Sequence, residues 1–258
     1  MFFKTIDFSK YASIKIGQET EVLMLEHGDA IPSDRYLIGA ANNLLVSPTP
    51  PALMMLSKDF ATIEAHEDTL TIGAAMPTGR IVSYAKKYDI AGFEFCAKLP
   101  GTLGGMLAMN AGVKTYEVFN ILHSIKIDGV WVNKEEIEYG YRFAQLDGIA
   151  TAARFQIHKG FDPSLLDELL ALRANQPHDP SAGSAFKNPK GDHAGRLIEA
   201  VGLKGFTKGG MSWSEVHANF LVNLGDGTFE DAKYLIDLAK EKVLNAFNIE
   251  LKEEIKIL

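Results

Sequence analysis

Short runs of alternating apolar and polar residues, broken by glycine- and asparagine-bearing turns, dominate this chain, and only a few segments carry the helical period. That mixture most constrains the fold, because strict strand–helix–strand units would show longer helices between the strands. Residues 60–73 read as a hairpin with Glu67-Asp68 between apolar alternations. Residues 121–132 read as a second hairpin, with Asp128-Gly129 at its turn. Residues 36–46 suggest strand, small-residue turn, strand, and 148–157 a strand after Asp147-Gly148. Pro77 opens an expected helix over 77–88 with Ile81, Val82 and Ala85 on one face. Further helices are expected over 163–174 and from Asp192 to just before Gly202. The clearest runs over 229–246, where Thr228 and Asp231 have capping-box spacing and Ala232, Leu235, Ala239, Val243 and Phe247 form an apolar stripe. Ile249 to Leu258 alternate like an edge strand. The fold class is α+β.

Length gives about two compact domains. No apolar run reaches the ~18 residues that span a bilayer. The N-terminus lacks a continuous apolar stretch and carries Asp7, unlike a secretory signal. Cys96 is the single cysteine, so an intrachain disulfide and a cysteine metal cage are both excluded. The expected compartment is the cytoplasm. The formal net charge of −7 argues against general nucleic-acid binding. Residues 187–208 nevertheless hold Lys187, Lys190, Arg196, Lys204 and Lys208 against Asp192 and Glu199, a pattern that fits a small anionic ligand or a solvated basic face.

Three segments carry candidate chemistry. Residues 99–112, Leu-Pro-Gly-Thr-Leu-Gly-Gly-Met-Leu-Ala-Met-Asn-Ala-Gly, contain Gly101, Gly104 and Gly105, where a bare backbone can present N–H groups to a phosphate or simply turn tightly. The spacing is neither Gly-x-Gly-x-x-Gly nor a Walker loop. Gly39-Ala40-Ala41-Asn42-Asn43 is a second such loop, and the pair suggests a dinucleotide held between two small subdomains. Residues 180–189, Pro-Ser-Ala-Gly-Ser-Ala-Phe-Lys-Asn-Pro, cannot form a regular helix. They read as a stiff, donor-rich loop, suited to gripping and protonating an anion or to connecting two domains.

Taken together and in order, these segments resemble the UDP-N-acetylenolpyruvoylglucosamine reductase family over nearly the whole length. Tyr11-Ala12-Ser13-Ile14-Lys15-Ile16-Gly17 looks like the family's N-terminal entry, and Ile38-Gly39 through Asn43-Leu44-Leu45 like its flavin loop. Leu99 to Gly112 is similar to its Pro-Gly-Thr segment, and Tyr141-Arg142 to its Tyr-Arg motif. Residues 180–189 match its Ser-Ala-Gly-Ser-x-Phe-Lys-Asn-Pro signature. Ala194-Gly195-Arg196-Leu197-Ile198, Gly202-Leu203-Lys204-Gly205 and Ser214 through Phe220 also fit. The resemblance implies an FAD-binding fold of the vanillyl-alcohol-oxidase type in two subdomains, 1–57 and 58–177. A smaller α+β substrate domain, 178–247, and a tail, 248–258, would follow. The chain is short for the family, which suggests the subtype without the tyrosine-bearing lid.

The activity implied is reduction of UDP-N-acetylglucosamine enolpyruvate to UDP-N-acetylmuramate in peptidoglycan synthesis. NADPH would reduce FAD, whose hydride goes to C3 of the enolpyruvyl group. Ser184 would protonate C2, Arg142 would stabilise the developing carboxylate charge, and Glu254 would be the late site glutamate, with Glu253 one register away. The cofactor set implied is Gly39, Ala40, Ala41, Asn42, Asn43, Leu44, Pro100, Gly101, Thr102, Gly104, Gly105, Asn110, Ala111 and Gly112. Lys187, Asn188 and Tyr141 would meet the substrate. Arg173 would brace the loop, meet a phosphate or sit solvated on a helix. His217 and Cys96 read as structural, and Met106, Met109 and Phe186 as packing. Departures from the family pattern stand at Gln18, Ala41, Asn42, Lys98 and Ala144. The expected partners are the UDP-sugar and NADPH, with no metal, nucleic acid or membrane insertion, and the expected state is a monomer. Another flavin oxidoreductase of this fold and a non-catalytic nucleotide-binding module are the competing readings.

Overall fold

The structure, a computed structural model, describes residues 1–258 except Lys98, Arg173 and Ala174. Its contacts group into two compact units. The first comprises Met1–Lys4, Val22–Ala40 and Ala52–Ala174, and the second Thr5–Glu21, Ala41–Pro51 and Asn175–Leu258.

The first unit is built on a five-stranded antiparallel sheet in the order Val130–Asn133, Leu122–Ile127, Ala150–Gln156, Thr69–Gly73, Ile63–His66. Both expected hairpins are present, and Glu67 and Asp128 take left-handed φ of 46° and 47° at their turns. Period-two alternation puts Ile72, Ile125, Ala153 and Phe155 on the covered face. There they pack with Ile81 and Ala85 of the helix Thr78–Lys87 and with Leu103, Met106 and Leu107 of the helix Leu103–Ala108. A small parallel group, Leu53–Leu56 between Glu19–Leu25 and Tyr36–Leu37, closes over Leu23, Leu25, Met54 and Ile149. The helix expected over 163–174 is described as Pro163–Ala171, started by Asp162, which accepts from the Ser164 and Leu165 amides. The expectations on Lys98 and Arg173 lie outside the described residues.

The second unit carries an antiparallel sheet in the order Ser181–Ser184, Phe220–Asn223, Met211–Trp213, Thr207–Lys208. The helix Phe229–Phe247 packs on its last two strands. Thr228 and Asp231 form the expected capping box, and Ala232, Leu235, Ala239 and Val243 are buried. Phe247, expected in the stripe, is instead exposed in the last turn, just before left-handed Asn248.

Three local expectations are corrected. Residues 36–46 form two two-residue strands belonging to different sheets, because Leu44–Leu45 pairs in parallel with Lys256–Ile257. The tail is therefore not an alternating edge strand but a thread with that short pairing and a bridge from Glu253 to Phe186. Finally, four residues of the expected loop at 180–189, Ser181–Ser184, are strand: Ser181 and Ser184 pair with Val222 and Phe220 across a bulge at Gly183, whose φ is 79°. A bulge removes the regular alternation that would have marked a strand in the sequence.

Candidate active site

In the second unit the stretch after Ser184 is held by main chain on both sides. The Ala185 amide donates to the Asn219 carbonyl at 2.8 Å, and the Ala185 carbonyl accepts from the Glu254 amide at 2.8 Å. The Lys187 amide donates to Lys252 O at 2.9 Å. Ser184 and Glu254, far apart in sequence, thus sit on neighbouring extended segments. Glu253 turns toward the helix Phe229–Phe247 and accepts from Lys240 Nζ at 2.8 Å, an ion pair that holds its carboxyl below the usual range against the opposing effect of burial.

Asn219 is the fastener of this arrangement. Its Oδ1 accepts from the Phe186 amide at 3.1 Å and its Nδ2 donates to Phe186 O at 2.8 Å, so one side chain replaces a ladder partner for a buried stretch of backbone. His217 supports it in turn, with Nδ1 accepting from the Asn219 amide at 3.2 Å. Burial lowers the pKa of His217 from its ordinary value. Beneath lies Phe186, stacked on Trp213 with ring centroids 5.9 Å apart. Asn188, expected on the substrate, has its Oδ1 accepting from the Ala194 amide at 3.0 Å, so its oxygen caps the helix Ala194–Ala200. Of the basic stretch, Arg196 is bonded to Asp192, whose carboxyl it holds down to about 2, and Lys204 pairs with Glu199.

The loop residues of this unit divide similarly. The Ser13 hydroxyl donates to Asn42 Oδ1 at 2.6 Å, and Asn43 Nδ2 donates to Glu254 O at 2.9 Å. Ala41, where the resemblance has a glycine, takes φ of 52°, a conformation that disfavours a Cβ. Ala41 and Leu44 are buried, so their side chains hold the loop.

The first unit brings the other expected segments together. A Cβ added at Gly39 would lie 3.2 Å from Thr102 Oγ1, so the two small-residue loops touch. Ala40, Gly101, Thr102 and Ala111 are partly exposed, and Pro100 and Gly105 are exposed. Three members of the expected cofactor set have close partners within the unit. The Gly104 amide donates to Ala74 O at 2.8 Å. Asn110 is fully buried, with Nδ2 donating to Glu117 Oε2 at 2.8 Å and Gly140 O at 3.0 Å, while Oδ1 accepts from the Phe119 amide. Gly112 lies so close to the strand Tyr116–Glu117 that a Cβ would meet Tyr116 O at 2.0 Å. These residues hold Arg142: its Nη2 donates to Gly112 O at 2.8 Å, and its Nη1 lies 3.5 Å from Glu117 Oε1. Tyr141 and Arg142 form the turn between Tyr139–Gly140 and Phe143–Ala144, with Arg142 at φ 55° and its guanidinium 5.0 Å from the Tyr141 ring centroid.

Sequence reading assigned no role to Asn219 or Glu117. Asn219 stood within a quoted motif, and only its burial reveals its work. Met106 and Phe186 are buried, as is Cys96, whose thiol burial pushes well above the ordinary range; Met109 is only partly covered. Among the described residues, no group of three or more His, Cys, Asp or Glu is placed to hold a metal, and no helix is long and apolar enough to cross a membrane.

Comparison with known proteins adds independent findings. Residues 176–258 match the family described as UDP-N-acetylenolpyruvoylglucosamine reductase, C-terminal domain. The UDP-N-acetylenolpyruvoylglucosamine reductase of Helicobacter hepaticus is 48% identical over 257 residues, covering 98% of each chain. That of Helicobacter pylori strain 26695 is 43% identical over the full length of both. The crystal structure of UDP-N-acetylenolpyruvylglucosamine reductase from Thermus caldophilus superposes with a TM-score of 0.86 at 28% identity, covering 100% of this chain and 99% of that one.

Proposed function

The chain belongs to the UDP-N-acetylenolpyruvoylglucosamine reductase family, an oxidoreductase family, and from that premise we propose that it reduces the enolpyruvyl ether of UDP-N-acetylglucosamine to UDP-N-acetylmuramate for peptidoglycan synthesis, with NADPH and FAD. The donor set fits a dinucleotide diphosphate. Residues 99–112 carry no charged side chain, and Gly39 meets Thr102 so that two bare-backbone loops adjoin. Gly39, Ala40, Gly101, Thr102 and Gly105 would hold FAD through main-chain amides and one hydroxyl. FAD bound there would supply the hydride, drawn from NADPH.

The protein's own task is then charge and one proton. Hydride addition at C3 moves electron density toward the substrate carboxylate. Arg142, planar and permanently charged, suits that group. Ser184 delivers the proton to C2; a serine hydroxyl is a weak acid, and it serves here because the acceptor carbon is strongly basic and the geometry is fixed. Glu254, in its protonated form, would serve as a donor toward the intermediate, and Lys187 as a contact for the substrate phosphates.

The observation that carries this reading is the pairing of the Ala185 carbonyl with the Glu254 amide, which seats Ser184 beside the glutamate. The test separates the half-reactions in the stopped flow. Ser184→Ala should leave NADPH-driven flavin reduction within about twofold and slow reoxidation by the enolpyruvyl substrate at least about a hundredfold. Equal losses in both halves would make Ser184 structural. Protein that purifies without FAD and takes none up would remove the flavoenzyme reading altogether.

A further inference from the structure

Arg142 does not stand alone in its turn. Its guanidinium lies between the Gly112 carbonyl and the Glu117 carboxylate, and Glu117 is itself fixed from the other side by the fully buried Asn110. Asn110 also reaches Gly140 O, the residue that opens the turn carrying Arg142. One buried amide therefore ties the turn to the carboxylate. Gly112 pairs directly with Glu117 in the adjoining ladder, at a separation that admits no Cβ on Gly112, so the carbonyl and the carboxylate are held at one spacing. Arg142 adopts left-handed φ of 55° in that turn, which an unbraced arginine would leave for a commoner conformation.

We infer that Glu117 is a positioning residue for this reaction: held by Asn110, its carboxylate fixes the rotamer of Arg142 so that the guanidinium meets the substrate carboxylate without reorganising. The inference rests on the proposed role of Arg142. The side chains of Arg142 and Glu117 are 17% and 20% exposed, so the pair is largely shielded while still reaching solvent. The 3.5 Å contact is long for an ion pair, and the shorter bond goes to a neutral carbonyl. Glu117 therefore sets direction across a longer contact, while the closer bond is to the Gly112 carbonyl. Preorganisation of this kind matters most when charge develops, so its loss appears in the second half-reaction and in the turnover rate more than in substrate binding.

The experiment uses the flavin-loaded enzyme as purified, with Glu117→Gln, Glu117→Asp, Arg142→Ala and the double variant Glu117→Gln/Arg142→Ala, each carried through both half-reactions. Glu117→Gln should slow reoxidation by the enolpyruvyl substrate at saturation by about tenfold or more, with flavin reduction by NADPH within about twofold and substrate KM changed less than kcat. Glu117→Asp, which keeps the charge, should recover part of the loss. In the Arg142→Ala background, Glu117→Gln should cost no more than about twofold, because its effect passes through the arginine. A full additional tenfold in the double variant, or equal loss in both half-reactions, overturns the proposal. If Glu117→Gln does not fold, Glu117→Asp alone and in the Arg142→Ala background reads the same dependence, with the same two outcomes against it. If Arg142→Ala by itself leaves reoxidation unchanged, the role of Arg142 has failed, and that of Glu117 goes with it.

Discussion

Replacing Asn219 by alanine removes the two side-chain bonds that clamp Phe186 and nothing else from the ladder. The Ala185 amide still donates to the main-chain carbonyl of residue 219, so the strand register survives. What is lost is the acceptor at 3.1 Å and the donor at 2.8 Å, both in buried surroundings. Each buried main-chain group left without a partner costs about 1–3 kcal/mol, so the variant should lose about 2–6 kcal/mol. A domain of ordinary stability holds roughly 5–15 kcal/mol, so the protein still folds and can be assayed. Urea unfolding, followed through Trp213 beneath Phe186, should show a lower midpoint with an unchanged slope. The released backbone lies two residues from Ser184, so reoxidation by the enolpyruvyl substrate should slow more than flavin reduction. A loss below about 1 kcal/mol would mean that water or a shifted chain satisfies Phe186 equally well, and the clamp argument would be refuted.

Other consequences are as direct. Gly112→Ala places a methyl 2.0 Å from Tyr116 O and should cost about 3 kcal/mol or more, read as a fall in Tm, with the substrate half-reaction impaired because Glu117 is displaced. His217 is held neutral by burial, with its folded pKa below the unfolded value near 6.5, so the unfolded chain binds the extra proton first. Stability should therefore fall as pH drops below about 6.5 toward the folded pKa, and the difference in Tm between wild type and His217→Gln should change with pH across that range and level off above about pH 7.5; a pH-independent difference would contradict this. Cys96, buried with its thiol pKa raised, should react with a disulfide reagent only as the protein unfolds, and labelling at the rate of a free thiol in native conditions would show otherwise.

The sequence alone determined the local elements. Capping at Thr228, the Asp128-Gly129 turn and the Pro77 helix start each depend on neighbours within a few residues, and the helical and strand periods are visible wherever one face is buried. The ordered motifs likewise sufficed to place the chain in its family. What sequence could not decide was which neighbour each member of those motifs meets in the fold. Asn110, Gly104 and Gly112 sit in a segment that reads uniformly as a glycine-rich phosphate loop, yet their roles differ because each has a particular neighbour: Glu117, Ala74 and Tyr116. Glu253 and Glu254 are indistinguishable by type, and only the fold gives them different partners, Lys240 for the Glu253 carboxylate and the Ala185 carbonyl for the Glu254 amide. Likewise Thr5–Glu21 and Ala41–Pro51 join the unit of Asn175–Leu258, a grouping set by contacts between distant residues. Propensity and spacing act over one or two turns of chain, whereas burial, pairing across strands and the partner of a buried amide exist only once the chain has closed on itself.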